Sequence, residues 1–144
     1  MSMLTDRRIA PVIAGLAVSV VVLLATALFW RGPGPDLPKP VDGNPVLTHG
    51  QSGPGMLASL HGTLALVDGC LLLGGEVVVW PPGTTWDEAQ QAVLYSELVL
   101  QPGDELPGLA GGVLPITEFG RFLHPETIAR ARACSDDDTL TIVS

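Results

Sequence analysis

GTLALVDGCLLLGGEVVVWPPGTTW, residues 62–86, sets short apolar runs between dipeptides suited to reversing a chain. Residues 60–67 alternate so that Leu60, Leu64 and Leu66 share one face, the period of a half-buried strand. Asp68-Gly69 then supplies the positive-φ residues of a tight hairpin into residues 70–73. Gly74-Gly75 makes a second reversal into Glu76-Val77-Val78-Val79-Trp80, a β-branched run suited to a strand buried on both faces. Pro81-Pro82-Gly83 ends that run, so three antiparallel strands are expected from this stretch alone.

Working outward toward the C-terminus, Thr85 followed three residues later by Glu88 reads as a capping box, predicting a short helical turn over residues 84–91. Residues 93–100 return to strand, Pro102-Gly103-Asp104 turns, and Gly111-Gly112 marks another tight point. Pro125 at a first helical turn, Glu126 early and Arg130 and Arg132 late match the two ends of a helix dipole, predicting a helix over residues 125–133. Residues 139–143 form the last strand. Many short strands with Gly-rich turns and one short helix predict a mainly β fold over residues 59–144, a small, partly open, OB-like Greek-key barrel.

A domain of that size is close to the point where one core benefits from a covalent staple. Cys70 and Cys134 are the two cysteines of the chain. A bridge between them would contribute about 4 kcal/mol in the chain-entropy model and would place the domain in an oxidising compartment, outside the cytoplasm. Two buried thiols and a redox pair are the alternatives, the latter without a Cys-x-x-Cys arrangement.

Toward the N-terminus, residues 31–58 hold six Gly and six Pro among 28 positions, a composition that reads as a linker or semi-rigid stalk. Before it, IAPVIAGLAVSVVVLLATALFW (residues 9–30) runs without a charge for a length that matches a ~30 Å hydrocarbon core as a helix. Arg7, Arg8 and Arg31 flank it, and Phe29 and Trp30 suit a headgroup layer. The expectation is a signal anchor: residues 1–8 cytoplasmic, residues 9–30 a single transmembrane helix in contact with membrane lipid, and the β domain extracytoplasmic. Arg and Lys counts on the two sides tie, so the direction rests on the short tail and the cysteines. Ala25-Thr26-Ala27 fits a signal-peptidase pattern, which makes secretion after cleavage near Ala27 the alternative.

The chain has 144 residues, a mean hydropathy of +0.40 and a formal net charge of −8. With Lys39 the sole lysine and no basic cluster, nucleic acid is excluded as a partner class. No phosphate loop, dinucleotide fingerprint or cofactor motif occurs, and neither Ser59 nor Ser96 sits in a Gly-x-Ser-x-Gly elbow. His49, His61 and His124 lack a second ligand at metal-site spacing, and Asp136-Asp137-Asp138 lacks the pattern of a calcium loop. No catalytic, cofactor-binding or metal-binding residue is therefore assigned. Surface histidine is the favoured reading of all three. Trp80 and Trp86 flank the Pro-Pro-Gly turn and, with His61, are the candidates for gripping a partner, although the favoured reading has Trp80 in the core and Trp86 packed over a barrel end.

The runs GTLALVDGCLLL and VVVWPPGTTW, a PGDEL turn, a Gly-Gly pair and a second Cys near the end resemble a group of uncharacterised small bacterial envelope domains over residues 62–134. The resemblance implies a compact, membrane-anchored β domain with an extracytoplasmic address and assigns no activity to any residue. The function expected is that of a non-enzymatic envelope protein whose tethered ectodomain binds another envelope protein or a cell-wall component. The alternatives are a small metal-dependent or hydrolytic enzyme using His61 and His124, and an accessory subunit of a membrane complex.

Overall fold

In a computed structural model that describes residues 36–50 and 56–144, Asp68 and Gly69 take φ values of 49° and 79° and fold β3 (Leu64–Val67) back onto β4 (Cys70–Leu73). Leu64 pairs with Leu73 and Val67 with Cys70, the register the sequence predicts. Gly74 and Gly75, also at positive φ, deliver the chain into β5 (Glu76–Trp80), whose last four residues are all buried.

β5 is the axis of the unit Asp36–Ser144. On one side it pairs in parallel with β10 (Thr139–Val143). On the other, its first half pairs with β4 and its second half pairs in parallel with β1 (Leu47–Thr48). Beyond β10 lie β9 (Leu109–Pro115) and β2 (Ala58–Leu60), giving a seven-stranded sheet of order β2-β9-β10-β5-β4-β3 with β1 beside β5. A second sheet of three strands follows the order β6 (Thr85–Asp87), β7 (Ala92–Tyr95), β8 (Leu98–Leu100).

Successive residues of a strand point to opposite faces, so β5 feeds two cores. Val78 and Trp80 join Leu64, Leu71 and Leu73, and the small sheet adds Val93 and Leu100 to that cluster. Val77 and Val79 join Leu140 and Ile142 on the other face. That face is covered by α1 (Ile116–Phe119), the 3-10 turn Gly120–Phe122 and α2 (Pro125–Cys134), through Phe119, Leu123 and Ala131. Pro125 begins α2 as predicted, and the Glu126 amide donates to Nδ1 of His124 at the N-cap (3.2 Å).

Several expectations are corrected. The sheets are open rather than closed into an OB-like barrel, because residues 60–67 are not one strand. Gly62, at φ 141°, breaks the run after His61 and sends β2 and β3 to opposite ends of the sheet, where they cannot pair with each other. The helical turn over residues 84–91 is instead β6 and a turn. Asp87 Oδ1 accepts from the amides of Ala89 (2.9 Å) and Gln90 (3.0 Å), which closes that turn, while Thr85 pairs with Leu94. So short a helix cannot offset its nucleation cost against strand pairing.

Residues 93–100 form the β7–β8 hairpin, with Ser96 in the left-handed region at φ 53°. Gly111 and Gly112 lie inside β9 rather than in a turn. A Cβ on Gly111 would collide with the Ile142 carbonyl and the Leu60 side chain, so glycine is there for close packing. Two short helices stand where one was expected.

The larger correction concerns the linker. Of its described residues, 36–50 are a strap built into the fold and 56–58 lead into β2, which Ala58 begins. Val46 and Leu47 are core residues, β1 extends the sheet, and the His49 amide donates to the Trp80 carbonyl (3.0 Å). Pro and Gly richness concealed a single apolar pair that fits the open half of the β5 edge. The apolar run 9–30, the tail 1–8, the Ala25-Thr26-Ala27 pattern and linker positions 31–35 and 51–55 lie outside the described residues.

Candidate functional site

The three histidines have three different surroundings. His49, expected on the surface of a stalk, is 4% exposed, with Nε2 2.9 Å from the Val143 carbonyl and its ring edge-on to Phe119 at 5.5 Å. It locks the strap to the final strand. His124 is the N-cap of α2. His61 is exposed just beyond β2, and its Nε2 lies 2.9 Å from the Ser59 hydroxyl. The two histidines of the enzymatic alternative are thus engaged separately, one with a helix terminus and one with a neighbouring serine.

The Ser59–His61 pair is what sequence reasoning passed over. Ser59 lacks a strand-to-helix elbow, and the informative signal is instead the i, i+2 spacing to His61, which puts two side chains on the same face of extended backbone. The turn of Gly108, at φ 81°, lies against the pair: a Cβ on Gly108 would stand 3.1 Å from Ser59 Oγ and 3.2 Å from His61 Cε1.

Trp80 is fully buried, with its ring centroid 5.9 Å from that of Tyr95, so it belongs to the core and does not grip a partner. Trp86 is half-buried against the same cluster, and its Nε1 donates to Glu88 Oε2 (2.7 Å). One edge of that indole reaches the surface beside carboxylates. The neighbouring Asp87 carboxyl is held below its usual range, first by the Gln90 backbone amide and then by the Gln90 side chain at 2.8 Å, which outweigh the opposing desolvation, with the Ala89 amide contributing least.

Cys70 and Cys134 form a disulfide, with an S–S distance of 1.99 Å and Cα atoms 5.7 Å apart. It joins the start of β4 to the end of α2. A cleft of about 290 Å³ beside it is lined by Gly43, Asp68, Gly69, Arg130 and Ala133 together with the two half-cystines. Arg130 is committed to the strap, donating to the carbonyls of Val41 (3.0 Å) and Asn44 (2.6 Å). The bond ties the main sheet to the helical layer across a sequence separation of 64, the arrangement of a covalent staple.

Asp136 and Asp137 are exposed in the turn from α2 to β10, where Asp138 faces Arg132 at 3.5 Å. Among the described residues, no group of three or more His, Cys, Asp or Glu is placed to hold a metal ion. Comparison with protein-family models, with curated proteins and with solved structures finds no match to this chain.

Charge is distributed unevenly over the unit. Between Met56 and Gly120 there is no Lys or Arg, whereas acids recur from Asp68 to Glu118. The cations of the described residues, Lys39, Arg121, Arg130 and Arg132, belong to the strap and the helical layer. The small sheet and its loops carry Asp87, Glu88, Glu97, Asp104 and Glu105, with Val99 half-exposed among them.

Proposed function

We propose that this chain is a membrane-tethered extracytoplasmic protein whose β unit works by holding a cationic partner, either another envelope protein or a cell-wall component bearing free amines. The observation that carries the binding reading is the charge partition: a contiguous stretch supplying β2 through β9 offers acids and apolar strand edges and no Lys or Arg. Such a surface raises the local concentration of cationic groups and opposes anionic ones. The tether and the outward address are supported by the uncharged run 9–30 and by the Cys70–Cys134 bond, which persists in oxidising compartments. The small sheet is the favoured contact area, since Trp86 and Val99 supply apolar surface beside the carboxylates.

The test uses the full chain in lipid nanodiscs, presented to oligolysine, to oligoglutamate and to isolated peptidoglycan. Oligolysine or an amine-bearing wall polymer should bind, with affinity falling as salt shortens the screening length to a few Å. Glu88→Lys and Glu97→Lys should weaken that binding. No discrimination between oligolysine and oligoglutamate, together with no wall binding, would overturn the proposal.

A further inference from the structure

We propose that Ser59 and His61 form a nucleophile–base pair that makes Ser59 the acylatable hydroxyl of this chain, taking small carboxylic esters as substrates. This inference rests on a different observation from the binding reading and stands or falls separately from it. Three features carry it. The Ser59 hydroxyl lies 2.9 Å from His61 Nε2, within the range needed for direct proton transfer. Both side chains are exposed, Ser59 on the terminal strand of the main sheet and His61 just past its end, so a substrate reaches them without opening the fold. Gly108 provides bare backbone alongside them, where any side chain would press on both the hydroxyl and the imidazole.

Among the described residues, Ser59 is the hydrogen-bond partner of His61, so the arrangement is a dyad. With His61 as the Nδ1–H tautomer, the hydroxyl donates to Nε2. As Oγ bonds to the ester carbonyl carbon, the hydroxyl proton passes to Nε2. Collapse of the tetrahedral adduct breaks the bond from the acyl carbon to the alkoxy oxygen, and the departing alkoxide takes the proton from His61. The product is acyl-Ser59 and a free alcohol. Water then attacks the acyl carbon, giving its proton to Nε2, and Oγ leaves with that proton as the carboxylic acid is released. An open site of this kind selects by the reactivity of the ester, which is why small esters rather than long chains are named.

A fluorophosphonate probe reads the first step: Oγ bonds to phosphorus, fluoride leaves, and His61 takes the hydroxyl proton. Full chain in nanodiscs would be treated with the probe, and the adduct would be located by mass spectrometry of peptides cut after Asp and Glu, which place Ser59 and Ser96 in different fragments. Labelling is expected at Ser59, with the rate lowered about 100-fold in His61→Gln and His61→Leu, the usual scale of a lost general base. Gly108→Ala should also slow labelling by displacing the pair, and Ser96→Ala should leave it unchanged. Near-ultraviolet circular dichroism and the thermal midpoint of each variant report whether the fold is retained. Absence of label at Ser59 in the folded wild-type chain, or a Ser59 rate that both folded His61 variants leave unchanged, would overturn the proposal. Neither result would alter oligolysine binding.

Discussion

Leu47→Ala tests whether the strap is structure or spacer. Leu47 is 3% exposed, pairs with Val79 in the β1–β5 ladder, and packs with Val77, Phe119 and Ile142 under the helical layer. Truncating a core leucine costs about 2–5 kcal/mol, made up of the lost transfer free energy and a cavity term. Leu47 comes from a two-residue strand within the strap, where the site can partly collapse, so we place the cost at about 3 kcal/mol. That is a change of roughly 100-fold in the folded-to-unfolded ratio, and about 12 °C in Tm for a unit near 100 residues. The assay is urea unfolding of the unit Asp36–Ser144 followed by tryptophan fluorescence, with the buried Trp80 as reporter. The control is Val41→Ala on the same strap: Val41 is 63% exposed, and a change within about 0.5 kcal/mol is expected. A Leu47→Ala stability within that same margin of wild type would refute the integration of the strap into the core.

Replacing both cysteines with serine should cost about 4 kcal/mol in calorimetry, because the Cys70–Cys134 bridge closes a loop with a sequence separation of 64; a loss below about 1 kcal/mol would contradict the staple. Gly111→Ala should destabilise by at least about 2 kcal/mol, since the added methyl meets the Ile142 carbonyl, which is backbone. Gly112→Ala should cost less, as it meets the end of the flexible Met56 side chain, and the reverse ranking in urea unfolding would count against this packing. The Asp87 carboxyl, depressed by Gln90, favours the folded state above the unfolded carboxylate pKa and loses that contribution as pH falls through its folded value. Asp87→Ala should therefore be less stable than wild type at neutral pH, with the gap closing in acid, and a gap independent of pH would remove the carboxylate from the stability of the β6–β7 turn.

The legible parts of the fold were those where one local signal acts alone. Asp68-Gly69 and Gly74-Gly75 announce their hairpins because positive φ demands such residues, and Pro125 with Glu126 announces α2. The unread parts needed information from elsewhere in the chain. Ser96 turns the β7–β8 hairpin without glycine or asparagine, and Gly111 is required by Ile142, some thirty residues away. Leu47 became core only because β4 leaves half the β5 edge open. Of the candidate site, His61 was named on sight, but its partner Ser59 was set aside by looking for a motif rather than for two side chains on one strand face. Trp80 carried the right chemistry for a binding surface and lies in the core, because Pro81 ends a strand whose alternate residues face inward on both sides.

The most direct test of an extracytoplasmic, disulfide-stapled unit is the state of its cysteines in the cell. The full chain would be isolated from native envelopes lysed in the presence of a thiol-blocking maleimide, and peptides cut after Asp and Glu would be measured before and after reduction. Cys70 and Cys134 are expected to escape the maleimide at lysis, to appear as one linked peptide pair, and to become alkylatable only after reduction. Both cysteines blocked at lysis would contradict the staple in its native setting and, with it, the placement of the β unit outside the cytoplasm.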